Sequence, residues 1–452
     1  MKRVLYLAST MALLTSMVVA GNAFAARSHP QAAKTQTVTL CSSVPIGASS
    51  LYDDSKGIEN GVVLAIHWLA PELKAAGLKV NYMPLDDGDP TTNSYSKSVE
   101  LTNAGTCIST KNALGYVGPL NSGAAEVSNP ALNKAHMVII SPANTNPGLT
   151  APGNVNGFGG RVTEEPCSTS AADSCPKSDK IPYVTYYRTV TTDAIQGRTA
   201  ALYVSSKFHP KSYYLVDDEF AYGVGLAGYF ATEAGKLHMK QLGHSHIDTS
   251  GGTGTEISSS SVISGDIIKA NPDMVFCGCD EETSGALARD LRSGVYTKVW
   301  FGGDAFDTTS WFSNSTGAGP LGSKNTWATN VGPPPSKSGK TYLRLYHKYF
   351  ASFEKKPGIQ GYDAPAFDAA GIILTAIMQA KKAGKLKGSI MAQRTAVVKY
   401  VHNIKFTGAL GKDSFDSNGD NKNRVISVYK SDPAKGQWNF LKELAAKGSP
   451  TG

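Results

Sequence analysis

The sequence predicts an α/β fold built from two similar halves, and three observations carry that prediction. From Thr37 to Pro142, short apolar runs alternate with amphipathic stretches in a βαβαβαβ series, which argues for a parallel sheet covered by helices. The series pauses over a Gly-, Pro- and Ser-rich stretch at 148–187 and then resumes over roughly 190–305. Beyond the punctuation VGPPPSKSG come further helical patterns and a strand-rich tail, so the chain crosses between the halves more than once. A cleft between two such lobes is a preferred place for small ligands. The length of 452 residues agrees, since domains average about 100–200 residues.

In the first half, TVTLCSSVPIG reads as a strand and GIENGVVLAIHWLAPELKAAG as a helix. Ile58, Val62, Ala65, Ile66 and Leu69 share one face of that helix at 3.6-residue spacing. LKVNYMPLDD is a strand, TTNSYSKSVELTNAG a helix and ALGYVGPL a strand. AAEVSNPALNKA is helical up to Pro130, and HMVIISP is the fourth strand. In the second half the helices are DAIQGRTAALYVSSKF, GVGLAGYFATEAGKL, SSVISGDIIKA and EETSGALARDLRSG. The strands between and after them are KSYYLVDD, KQLGHSHID, DMVFCG and TKVWFGG. Helices are also expected at 340–353, 364–384 and near 388–402, ahead of a short strand-rich tail.

Composition bounds the function. With 41% hydrophobic and 18% charged residues the chain is globular rather than disordered. Its 44 Lys and Arg against 36 Asp and Glu give a net charge of +8. No basic run is present, so the surface reads as mildly basic and soluble, without a nucleic-acid footprint. Residues 1–25 read as a signal peptide: Lys2 and Arg3, an apolar core from Leu5 to Ala20, and the Ala23-Phe24-Ala25 cleavage pattern. The core is shorter than a membrane span, and no Cys stands at the cleavage point to take a lipid. The expectation is an exported, soluble protein, periplasmic or secreted.

Export implies oxidising conditions for Cys41, Cys107, Cys167, Cys175, Cys277 and Cys279. Cys167 with Cys175 across CSTSAADSC is the expected local disulfide, and Cys41 with Cys107 a reasonable second. Cys277-Gly278-Cys279 is open between buried thiols, a disulfide, and metal binding together with His244 and His246. The first two are preferred, because no C-x-x-C spacing supports a metal.

Catalytic motifs are weak. Gly223-Val-Gly225-Leu-Ala-Gly228 fits G-x-G-x-x-G, but Asp217, Asp218 and Glu219 stand between strand and helix, where they would repel a phosphate. Close helix packing is the better reading. Asp416-Ser-Asn418-Gly-Asp420 lacks the Gly and Glu that a calcium loop needs at its sixth and twelfth positions, so it reads as a tight polar turn. No zinc-protease, nucleophile-elbow or phosphate-loop motif occurs. Neither enzyme activity nor a cofactor is expected.

The sharper signal lies at 117–150, VGPLNSGAAEVSNPALNKAHMVIISPANTNPGLT. Two successive strands end in small polar loops, Asn121-Ser122-Gly123 and Pro142-Ala143-Asn144-Thr145. At the C-terminal edge of a parallel sheet such loops offer N–H groups and hydroxyls, and a helix start near Gly123 favours an anion such as a carboxylate. Ordinary capping by Ser122 explains the same pattern as well. ISPANTNPGLT after GPLNSG resembles the branched-chain amino acid-binding, Leu/Ile/Val-binding-like family of periplasmic solute-binding proteins of ABC importers. Asn60-Gly61, DDGDP at 86–90, Arg188-Thr189 with Asp193-x-x-Gln196-Gly197, Tyr222-Gly223 and FDSNGD at 415–420 follow in the same order.

The resemblance implies a type I periplasmic binding fold, with two Rossmann-like lobes on parallel central sheets joined by a multi-crossover hinge. It places lobe 1 at about 36–190 plus 332–420 and lobe 2 at 191–331 plus 421–452. It assigns Ser122, Ala143 and Thr145 to the ligand's α-carboxylate and ammonium, and Asp304 to the ammonium. Tyr222 would close over the ligand, Asp193 would sit in the hinge-side motif, and Asp280 would line the second lobe where an aromatic is usual. Tyr52 falls in the loop, Ser49 to Ser55, that shapes the side-chain pocket. Asp304 is one methylene shorter than the usual Glu, which leaves room for a ligand that sits deeper or is larger. Asp280 in place of an aromatic makes the pocket more polar and more negative than Leu, Ile or Val needs. The implied function is capture of an amino acid or related small polar compound and its delivery to a membrane permease by a monomer. The rivals are a ligand-sensing subunit of the same fold and a nucleotide-using enzyme.

Overall fold

The computed structural model describes residues 35–151, 184–249, 253–334, 337, 339–355, 358–446 and 448. The signal peptide, the Cys167–Cys175 pairing and most of the 148–187 stretch lie outside the described residues.

The chain runs through β1 (Gln36–Val44), α1 (Tyr52–Trp68), α2 (Ala70–Ala75), β2 (Leu78–Asp86), the two-residue strands β3 (Gly88–Asp89) and β4 (Ser94–Tyr95), and α3 (Lys97–Ser109). Then come β5 (Ala113–Val117), α4 (Ser122–Lys134), β6 (Val138–Ser141) and β7 (Tyr186–Arg188). Strands β2-β1-β5-β6-β7 form one sheet, parallel throughout. The central strands β5 and β6 are buried at every position, because helices cover both faces. Pro84 is tolerated in β2 because that strand lies at the sheet edge.

The second sheet follows α5 (Asp193–Phe208). Its elements are β8 (Ser212–Asp217), α6 (Ala221–Lys236), β9 (Lys240–His246), α7 (Thr253–Ala270), β10 (Met274–Gly278), α8 (Glu281–Ser293) and β11 (Val299–Gly302). After the short α9 (Gly319–Gly322) and β12 (Thr326–Asn330), the chain returns to the first sheet. There it forms α10 (Lys340–Lys355), α11 (Asp363–Lys382), α12 (Ile390–His402) and a hairpin of β13 (Phe406–Gly408) and β14 (Gly411–Asp413). It ends in β15 (Val425–Asp432) and β16 (Gln437–Ala445) on the second sheet, whose order is β16-β15-β12-β11-β10-β8-β9. That sheet is parallel from β12 to β9, while β15 and β16 are antiparallel additions. No helix among the described residues is long and apolar enough to cross a membrane.

Helix α11 lies against α1 in the largest apolar cluster, which joins Val62, Leu64 and Ala65 to Phe367, Ile373 and Ile377. The two helices approach so closely that a Cβ on Gly61 would stand 2.9 Å from the Ala366 Cβ. That contact is the physical reason for Gly at this point of the Asn60-Gly61 pair.

Several expectations need correction. α1 starts at Tyr52 rather than residue 57, with Asp53 and Asp54 in its first turn, where the helix dipole favours acids. α4 runs through Pro130 to Lys134, because Ala125 and Leu132 on either side of the proline pack into one cluster. β7 and β12, three and five residues long, were hidden in stretches that read as loop.

Candidate functional site

One cavity lies where the loops from both sheets meet. Its lining comes from the C-terminal ends of parallel strands, where ligands of open α/β sheets bind. The first sheet supplies Leu51 and Asp54 after β1, Leu120, Asn121 and Ser122 after β5, and Ala143 and Thr145 after β6. The second supplies Tyr222 after β8, Asp280 and Glu281 after β10, and Asp304 and Ala305 after β11, while Tyr362 enters just before α11. Empty space there is about 370 Å³, its open mouth included.

Six of the residues singled out from the sequence therefore share this cavity: Ser122, Ala143, Thr145, Tyr222, Asp280 and Asp304. Two do not line it. Tyr52 is 43% exposed on the first turn of α1, because the segment expected to be a pocket loop is helical. Asp193 starts α5 fully buried, and its N–H donates to the Thr145 carbonyl at 2.9 Å, tying that loop down from behind. Leu51 and Asp54 of the Ser49–Ser55 segment and Asn121 of the loop after β5 also line the cavity, whereas Leu120, Glu281, Ala305 and Tyr362 were not singled out. Glu281 stood next to Asp280, but neither pattern nor spacing marked it as part of the lining.

The donors cluster on one side. α4 begins at Ser122, and the first N–H groups of a helix have no acceptor within it. The Ser122 hydroxyl oxygen accepts the Asn146 N–H at 3.3 Å, which leaves its proton to donate. The Ala143 N–H, assigned to the ligand by the resemblance, donates at 3.2 Å to the Ser141 hydroxyl.

The rest of the lining is rich in acidic groups. Tyr222 and Tyr362 donate their hydroxyls to the two oxygens of Asp304, at 2.9 and 2.6 Å. Burial nevertheless pushes the Asp304 carboxyl above its ordinary range, against the lowering effect of those hydrogen bonds. Burial, with Asp53 and Asp304 nearby, pushes the Asp54 carboxyl up to about 8. Asp280 and Glu281 are likewise raised, first by burial and then by neighbouring carboxylates. Asp218 positions Asp280 by accepting its N–H at 2.7 Å and the Thr283 hydroxyl at 3.1 Å.

A buried cluster braces the loop carrying Ala143 and Thr145. Arg188 and Asp420 form an ion pair at 2.7 Å. The guanidinium also donates to the carbonyls of Asn144 and Asn146, both at 3.0 Å, and to the Thr150 hydroxyl at 2.6 Å. Asp420 ends the Asp416–Asp420 segment, which is a turn: Asp416 accepts the N–H of Asn418 at 2.9 Å and of Asp420 at 3.1 Å.

The Gly223 motif is a packing device. A Cβ at Gly223 would collide with the Gly278 carbonyl and the Asp218 carboxylate, so α6 can sit on β10 only with glycine there. Cys41 is joined to Cys107, and Cys277 to Cys279. The metal alternative for the last pair is thereby removed, and His244 and His246 turn to Asp217 instead, at 2.6 and 2.7 Å.

These features define a class: an α/β protein with two parallel-based sheets and a cavity between the C-terminal edges of both. The periplasmic binding protein family model matches residues 46–437. The chain belongs to that family. It is 24% identical over 439 residues to the Leu/Ile/Val-binding protein BraC3 of Rhizobium johnstonii, covering 94% of this chain and 98% of that protein. Its fold is similar to the leucine-binding protein LivK of Thermotoga maritima, with TM-score 0.66 and 18% identity over 90% of this chain and 98% of that one. It is also similar to an ABC transporter solute-binding protein of Rhodopseudomonas palustris in complex with p-hydroxybenzoic acid. There the TM-score is 0.68 and the identity 14%, over 91% and 98% of the two chains.

Proposed function

We propose that this protein captures an amino acid or related small polar compound between its lobes and delivers it to an ABC importer. The reading places it in the periplasm or outside the cell, after removal of the leader at 1–25, where it acts as a monomer. The observation that carries it is the pairing, in one cavity, of a donor side with an acidic side. Ser122 and the start of α4 suit a carboxylate, and Asp304 held by two tyrosines suits an ammonium. A zwitterion leaving water needs both charges matched, because an unpaired buried charge costs several kcal/mol. Contacts to both lobes at once shift the open–closed balance towards the closed shape that a permease recognises.

The test is a thermal-shift screen on protein unfolded and refolded to strip bound ligand, against amino acids, amides, polyamines, aromatic acids and nucleotides. Binding to the native state raises the melting temperature. A shift with one amino acid class, and loss of uptake of that compound when the gene is deleted, are the expected results. A shift with another compound and none with amino acids would discard the carboxylate and ammonium assignments. Unchanged uptake would discard delivery.

A further inference from the structure

Resting on that reading, we infer that the ligand carries a second positive charge beyond its α-ammonium, held by Asp54, Asp280 and Glu281; the ligand class is a basic amino acid. Four carboxylates, Asp54, Asp280, Glu281 and Asp304, line one cavity, and among the described residues no Lys, Arg or His lines it with them. Two of the four have protein donors. Asp304 has both tyrosine hydroxyls, and Glu281 accepts the Ser310 hydroxyl on one oxygen at 2.7 Å. The other Glu281 oxygen and one oxygen of Asp54 are buried without a hydrogen-bond partner. These residues are 1% and 5% exposed. A folded protein keeps buried polar atoms satisfied unless a ligand completes them. One ammonium at Asp304 answers one carboxylate. An amine or guanidinium, with several donors and a charge, answers the rest. A branched aliphatic side chain would bury these carboxylates unanswered.

The experiment is calorimetric titration of refolded protein with L-arginine, L-lysine, L-leucine, L-glutamine and putrescine. A basic amino acid should bind at least tenfold more tightly than leucine or glutamine. It should also exceed putrescine, which lacks the carboxylate. In the Asp54→Asn/Glu281→Gln variant that preference should shrink towards unity, with Asp54→Asn alone intermediate. Amino acid binding with no preference for a cationic side chain, or a preference that survives in both variants, overturns the second charge and leaves amino acid capture standing. No binding of any amino acid by natively folded protein overturns both.

A separate observation carries a second proposal. We infer that Asp217, His244 and His246 form a site for a divalent transition-metal ion at the open edge of the second sheet. β9 is that edge strand, and its alternation puts His244 and His246 on one face, with Asp217 of β8 in register opposite His246. One ligand atom from each residue lies within 4.8 Å of the others. The Asp217 side chain is 1% exposed and oriented by the Glu219 N–H at 3.1 Å, whereas the imidazoles are 35% and 50% exposed, leaving a solvent side for water ligands. Two imidazoles and a carboxylate with an open position suit zinc or its neighbours. Untagged, chelator-treated protein titrated with Co²⁺ should develop visible d–d absorption at one ion per chain, and Zn²⁺ should displace it. Asp217→Ala and His246→Ala, the latter at a half-exposed position that spares the fold, should each remove the signal. Absence of the spectrum, or its persistence in His246→Ala, overturns the site.

Discussion

Arg188→Met tests whether the cleft loop is held by a buried charge. Arg188 is fully buried and Asp420 1% exposed, with their charged groups 2.7 Å apart. At an effective dielectric of about 20, charges ~3 Å apart attract by roughly 5 kcal/mol, much of it cancelled by desolvation. Removing one partner strands the other, at a cost of about 3–5 kcal/mol. Met also vacates the donors to Asn144, Asn146 and Thr150, so the loop bearing Ala143 and Thr145 loses its brace. Burial already holds the Asp420 carboxyl above its ordinary range, and in the variant it rises further. A carboxyl raised in the native state binds a proton that the unfolded chain releases, so stability falls as pH rises. The cost of Arg188→Met is therefore larger at pH 8 than at pH 5. Adding Asp420→Asn removes the stranded charge and recovers at least half of the loss. Equilibrium urea unfolding followed by tryptophan fluorescence measures each term. A single-variant cost under about 1 kcal/mol, far below that of an ordinary broken buried pair, or a double variant no more stable than the single, would refute the reasoning.

Three further predictions follow from the site. Asp304→Ala leaves the fold intact and weakens amino acid binding by at least about 100-fold, since it removes the partner of a buried ammonium; unchanged affinity in calorimetry would show that the pocket is misplaced. Ligand-free protein loses stability as pH rises from about 4 to 8, because the Asp54 carboxyl, raised from 3.8 to about 8 by burial beside Asp53 and Asp304, keeps a proton that the unfolded chain releases. Asp54→Asn flattens that part of the melting-temperature profile, and an identical profile would exclude Asp54 as its source. Gly223→Ala pushes a methyl group into the Gly278 backbone and should cost about 1–3 kcal/mol in urea unfolding; a neutral result would mean that α6 shifts freely on β10.

Legibility in the sequence followed the strength of the local signal. Asp193–Phe208 is bounded as its periodicity predicted, because a polar start and a long amphipathic run are local properties. The start of α1 was missed because Gly57 resembled a helix boundary, whereas it and Gly61 are glycines that let α11 approach. β12 was missed because TWATN earns strand conformation from its neighbours β11 and β15 rather than from its own pattern. In the cleft, Ser122, Ala143 and Thr145 were visible because two strand ends carried the same kind of polar loop. Glu281 was not, because acidic residues at a helix start are ordinary, and only tertiary placement aims one of its oxygens at a cavity without a donor.

The charge distribution bears on closure as well as on selectivity. Asp54 belongs to the first turn of α1 on the first sheet, and Asp280 and Glu281 follow β10 of the second. Like charges face one another across the cleft, so every step of closure without a ligand either brings carboxylates together or forces them to take up protons. Polar contacts across the cleft include three hydrogen bonds. Thr309 donates to Asp53 at 2.9 Å, Asn146 to the Ala221 carbonyl at 2.5 Å, and Tyr362 to Asp304 at 2.6 Å. Net hydrogen bonds of this kind contribute about 0.5–1.5 kcal/mol each, somewhat more to a charged acceptor. A cation entering between the two acidic sides reverses the sign of the cross-cleft interaction, whereas a neutral side chain leaves it repulsive. A ligand shifts a conformational equilibrium only by its differential affinity for the two states. On the proposed reading that differential resides in charge, and the feature that selects the ligand would also be the one that closes the lobes around it.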